Sequence, residues 1–249
     1  MLLVHCGGKQ VTYDELQNIP LPQKTNTYMP VPYNDLVDII KNAARAVFMD
    51  SKLDKAQYAV SKDGNRLFGV LRYISDEEPD LTSDNIGVAI GFRSSYDKSI
   101  ANQICVGGQV FVCDNLVFTG KIMSMRKHTK LVFDDLLDQA YNMLTQYRQS
   151  FYEIEETRAK MKRQEIAQDD GYRKLGLLRG HNVLSPTQLT NAIDHWDNPG
   201  DGPFVERNKW SLYNACTEAL KSTNQRKIME KHIALHREMN TSYQGLVTI

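Results

Sequence analysis

The run QYAVSKDGNRLFGVLRYI, residues 57–74, constrains this chain most, because Asp63–Gly64 separates two apolar stretches there. An Asp-Gly pair accepts the positive φ of tight hairpin turns, so the run predicts two antiparallel strands. NIGVAIGFRSS, residues 85–95, alternates small and apolar residues and reads as a third strand. DKSIANQICVGG, residues 97–108, reads as a helix, with Asp97 at its positive end and Gly107–Gly108 closing it. QVFVCDNLVF reads as a strand or strand pair bent at Asp114–Asn115, and GKIMSMRK as a strand after Gly120.

Helices flank these strands. PYNDLVDIIKNAARAVF, residues 32–48, carries Leu36, Ile39, Ile40, Ala43 and Val47 at helical spacing, with Asn34 or Asp35 as its cap. From near Thr129, LVFDDLLDQAYNMLTQYRQSFYEIEETRAKMKRQEIA holds neither proline nor glycine and predicts a helix of more than thirty residues. So long a helix suits contact with a partner chain or another domain. Ser185 with Pro186 opens another helix, and NKWSLYNACTEALKS and QRKIMEKHIALHREMN supply two more. Before residue 33, Pro20, Pro22, Pro30 and Pro32 punctuate an irregular arm. The expected fold is α+β: an antiparallel strand-rich core with a long helix and a helical C-terminal part. Its expected division is 1–32 arm, 33–165 core with long helix, and 166–249 helical region.

Composition narrows the function classes. The 249 residues carry 30 Lys plus Arg and 30 Asp plus Glu, so any nucleic-acid site must be a local patch. Cys6, Cys105, Cys113 and Cys216 show no C-x-x-C spacing, which argues against a zinc knuckle and for free thiols in a reducing compartment. The start MLLVHCGGKQ lacks the basic lead of a signal peptide, and no apolar run approaches the roughly 20 residues of a membrane span. The expected location is the cytoplasm of a bacterial host cell, without membrane partners.

Several pieces, in order, resemble a phage- and plasmid-borne family catalogued as domain of unknown function nine-three-two. They are MPVPYNDLVDII, YAVSKDGNRLFGVLRY, IGVAIGFRSSYDKSIANQICVGGQVFVCDNLVF, RKHT and WSLYNACTEALK. The resemblance implies a bacteriophage or mobile-element setting. The chain departs from the family's serine-histidine-aspartate-like run, which here reads Ser95-Tyr96-Asp97. Separately, the element order expected from Pro32 to Gly108 is similar to the core of single-strand annealing proteins, which implies an oligomer holding single-stranded DNA in a basic groove.

The leading site candidate is the cationic cluster Arg126-Lys127-His128-Thr129-Lys130 at a helix start, with Arg93, Lys98 and Lys121 near in sequence. Cations and a helix N-terminus suit phosphates, and Phe92, Tyr96 and Phe118 offer stacking faces for bases. An enzyme alternative uses His128 as a base with Asp97 or Asp114, or a Cys113, His128, Asn115 set. Turns, caps and cores use the same residue types. His232 and His236 share a helix face but lack the following glutamate of zinc enzymes, so they read as a surface pair. Trp210, Asn214, Thr217 and Glu218 share another helix face, either an aromatic anchor or a partner surface. No Walker spacing and no dinucleotide fingerprint is present, so no cofactor or metal is expected. The leading expectation is a single-stranded nucleic-acid binder that self-associates through its long helix. The alternatives are an interaction protein that inhibits a host defence factor and an enzyme using His128.

Overall fold

The computed structural model describes residues 8–75, 86–110, 116–117, 123–129, 131–200, 202–224 and 227–241. The strands are β1 Lys9–Val11, β2 Ser51–Val60, β3 Arg66–Ser75, β4 Ile86–Ser95, β5 Asn102–Val110, β6 Leu116–Val117 and β7 Met123–Arg126. The helices are α1 Tyr13–Gln17, α2 Tyr33–Val47, α3 Val132–Arg163, α4 Gln168–Gly180, α5 Pro186–Asp197, α6 Lys209–Leu220 and α7 Ile228–Asn240. The fold class is α+β.

The described strands form one antiparallel sheet in which β1 to β5 follow chain order. The outer edge of β5 is shared: β7 pairs its start, Asn102 to Cys105, and β6 pairs Gly108 and Gln109. Strand alternation gives the sheet two apolar faces. Tyr58, Leu67, Leu71, Ile90, Phe92, Ile104 and Val106 join the main core with buried residues of α2 and α3. Ala59, Phe68, Val70, Ala89 and Cys105 form the opposite face, under Ile228 and Met229 of α7. The C-terminal helix thus returns to close the sheet's second side.

Local chemistry explains these elements. The β2–β3 hairpin forms as the Asp63–Gly64 pair predicts, but its turn places only Gly64 among non-helical turn residues at positive φ, +72°. Asp63 instead accepts from the Asn65 amide and side chain and from the Ser61 hydroxyl. Those bonds hold its carboxyl well below the usual carboxylate range. The long helix is present: α3 has 32 residues, about 48 Å at 1.5 Å per residue. Its first half packs on the sheet, and the Tyr147 hydroxyl donates to the Gly107 carbonyl at 2.7 Å. The helix also contacts α6 of the same chain. Ser185 caps α5 in a capping box with Gln188, as the sequence predicts.

Two expectations are corrected. Residues 97–108 are not a helix; after a turn they become β5. Ile104 and Val106 point into one core while Cys105 points into the other, a period of two. Gly107 and Gly108 do not stop an element but pair with Ala89 and Val88. Strand pairing at β4 supplies hydrogen bonds that a lone amphipathic reading cannot weigh. The second correction concerns α2, which has Pro32 at its N-cap and no side-chain cap from Asn34 or Asp35. The Tyr96 hydroxyl accepts from the Tyr33 amide instead, at 3.1 Å. In the N-terminal segment, β1 adds to β2, and Thr12 and Glu15 close a capping box on α1.

Candidate nucleic-acid interface

Tyr28 brings two of the expected site residues, Lys98 and His128, to one place. Its hydroxyl donates to the Tyr96 carbonyl at 3.1 Å, at the β4–β5 turn. Its ring centroid lies 5.4 Å from that of His128, and Lys98 Nζ sits 4.5 Å from the Tyr28 centroid. The Met29 amide donates to the His128 carbonyl at 3.0 Å. The segment 25–29 therefore ties the β4–β5 turn to the β7–α3 connection. Tyr96 anchors the arrangement by stacking on Tyr33, with centroids 3.9 Å apart and planes 8° off parallel.

Each cation has a definite place. Lys98 adopts a left-handed backbone, φ 63°, uncommon for a residue with a Cβ. The turn that holds it there is fixed by the Ser99 amide on Asp97 Oδ1 and by Arg66 on Asp97. Arg126 is exposed and pairs with Asp135 of α3 at 3.2 Å, and Lys127 is exposed beside it. Next to them Asn26, Thr27, Thr129, Leu131 and Asp135 line a groove of about 420 Å³. Two large apolar side chains flank the cations, Met125 at 60% exposure and Leu131 at 66%.

His128 lies inside this arrangement. It is buried, with Nδ1 3.4 Å from Asn102 Nδ2, while Asn102 Oδ1 accepts from the Ser94 hydroxyl at 2.7 Å. Burial lowers its pKa below the usual imidazole value, partly countered by the backbone at Ile100 and Met29. It enters neutral and buried, so it shapes the surface rather than adding charge to it. Asp97, its expected catalytic partner, is engaged by Arg66. Arg93 is not brought to this surface. In register it faces the α7 side, where it is buried, bonded to Gln103 and ion-paired with Glu230. Phe92 and Tyr96 are buried in the core and offer no face to a base. Lys121, Lys130, Cys113, Asp114, Asn115 and Phe118 lie outside the described residues.

The remaining candidates serve the helical region. Trp210 and Asn214 are buried, Trp210 stacks on Tyr213 at 5.5 Å, and Asn214 donates to the Trp210 carbonyl. Glu218 takes the Lys221 ammonium at 2.6 Å. Trp210 and Asn214 are turned into the chain's own core, and Glu218 is half-buried. His232 is fully buried and His236 half-buried, with its ring edge-on to Tyr213, so they are not a surface pair. Among the described residues no cluster of three or more His, Cys, Asp or Glu could hold a metal, and no helix is long and apolar enough to cross a membrane. Cys105 and Cys216 are buried free thiols, and desolvation pushes both up to about 12.

Tyr28, Asn26 and Thr27 lie in the proline-punctuated segment expected to be an irregular arm, where no spacing marks them as site residues. An aromatic residue placed among polar residues between two proline pairs was the available signal.

An antiparallel sheet built on β2 to β5 with short strands at its edges, covered by α2 and α3 on one face and by the returning C-terminal helix on the other, defines a mixed α+β protein. The chain belongs to the family described as Domain of unknown function (DUF932), whose model matches residues 20–241. No curated protein and no solved structure gives a significant match.

Proposed function

We propose that this protein binds single-stranded nucleic acid along the surface organised by Tyr28, and does so as an oligomer in an annealing or recombination role. The setting that goes with this reading is a bacteriophage or another mobile element. The observation that carries it is the double contact of Tyr28, which joins Lys98 to His128, the residue that follows Arg126 and Lys127 in the chain. Exposed cations meet phosphates, the groove offers Asn26, Thr27 and Thr129 as polar contacts, and Met125 and Leu131 offer apolar surface to unstacked bases. Arg126 shares its guanidinium with Asp135, so its contribution is partial.

Filter binding of a single-stranded oligonucleotide across a salt series tests the reading. Three phosphate contacts give a log–log salt slope of about −2, at roughly −0.7 per contact on single strands. The double variant Arg126→Gln, Lys127→Gln leaves Lys98 alone and brings the slope to about −0.7. Lys98→Gly removes a cation and relieves the left-handed backbone, so it weakens binding while the fold melts no lower. Absence of salt-sensitive binding ends the proposal. So does tight co-purification of a host protein by a chain indifferent to DNA. Sedimentation with and without the oligonucleotide reads the oligomer directly.

A further inference from the structure

On the helical side of the molecule, the link from α3 to α4, the start of α6 and the end of α7 line a cavity of about 430 Å³. Two lysines enter it. Lys174 of α4 donates to the Glu238 carbonyl at 2.6 Å and the Thr241 carbonyl at 3.4 Å, closing the C-terminus of α7. Lys209, the first residue of α6, is half-buried and its ammonium has no acceptor among the described residues. Burial lowers the pKa of both amines, and the repulsion of Lys209 lowers Lys174 further, partly countered there by the Glu238 carboxylate. The carboxylates here do not offset Lys209. Asp170 is engaged by Arg173 at 2.8 Å, and Glu165 is exposed at the rim, its backbone fixed by a bridge to Asn208.

Two partly desolvated ammonium groups that repel each other, one without a counter-charge, leave a positive potential that an anion would relieve. The space matches a small-molecule site, which typically spans about 300–1,000 Å³. Gln164, Glu165 and Thr241 add acceptors for hydroxyl groups around it. From these features we infer that the cavity binds a small hydroxylated phosphate or carboxylate, with the anionic group on Lys209 and the hydroxyls on the Glu165 side. This site is separate from the Tyr28 surface and does not depend on nucleic-acid binding.

Thermal unfolding of the full chain with ribose 5-phosphate, gluconate or neutral ribose, at matched ionic strength, decides it. Ribose 5-phosphate or gluconate raises the melting temperature, and ribose does not; which of the two acts more strongly separates phosphate from carboxylate. Lys209→Met abolishes the rise and Lys209→Arg keeps most of it. Without ligand, Lys209→Met melts at or above the wild type, because it removes a desolvated charge, which shows that the variant folds. The inference is overturned when neither anion shifts the melt, when neutral ribose shifts it equally, or when the shift persists in Lys209→Met.

Discussion

Gly69 lies under the ring of Phe92, and a single methyl group there tests the packing of the whole sheet. The two residues are register partners on β3 and β4. A Cβ at Gly69 would stand 2.2 Å from Phe92 Cζ and 2.6 Å from Cε2. The ring cannot swing clear, because it is fully buried and sits 6.3 Å, centroid to centroid, from the Tyr58 ring. Overpacking of this kind costs about 1–3 kcal/mol. At about 2–4 °C per kcal/mol for a chain of this size, Gly69→Ala lowers Tm by about 2–12 °C. Circular dichroism melts and urea titrations measure it. Phe92→Leu in the same background gives the methyl room, so the double variant loses less than the sum of the two single losses. Wild-type stability for Gly69→Ala, or simple additivity in the double variant, would refute the reasoning.

Three further expectations follow from the same kind of geometry. Two glycines of α4 separate packing from propensity: a Cβ at Gly171 meets Trp196 Nε1 at 2.5 Å, while Gly176 faces open space. Gly171→Ala therefore destabilises, its overpacking of about 1–3 kcal/mol exceeding a helix gain of about 0.5–1 kcal/mol. Gly176→Ala stabilises by that helix gain of about 0.5–1 kcal/mol, read in the same denaturant titration. Ser185→Ala removes the cap of α5 and costs about 1 kcal/mol, checked by chemical denaturation. His128 is held below the free imidazole value of 6.5 in the fold, so the unfolded chain protonates first. Its contribution to stability is full above pH 6.5 and is lost as the pH falls through the lowered folded value. His128→Asn flattens the acid side of the stability profile relative to the wild type, as measured by urea midpoints above and below pH 6.5.

Much of the fold is written in local pattern. The Asp63–Gly64 turn, the third strand, the proline-free helix α3 and the Ser185 cap depend on neighbours within a few residues, which any reader of the sequence sees. The strand at 102–110 was hidden because Ile104 and Val106 pack in one core and Cys105 in the other, a distinction made by layers above and below the sheet. The cap of α2 was hidden because its acceptor, the Tyr96 hydroxyl, is 63 residues away.

The candidate site divides the same way. The sequence by itself determined that charge is balanced, that any nucleic-acid surface is local, and that Arg126 and Lys127 precede a long helix. Only the tertiary structure decided which other cations join them. Strand alternation sends Arg93 to the α7 face, into an ion pair with Glu230, while the Tyr28 ring bridges Lys98 to His128. Proximity along the chain favoured Arg93 and overlooked Tyr28, because a strand turns successive side chains to opposite sides and a loop brings distant segments together.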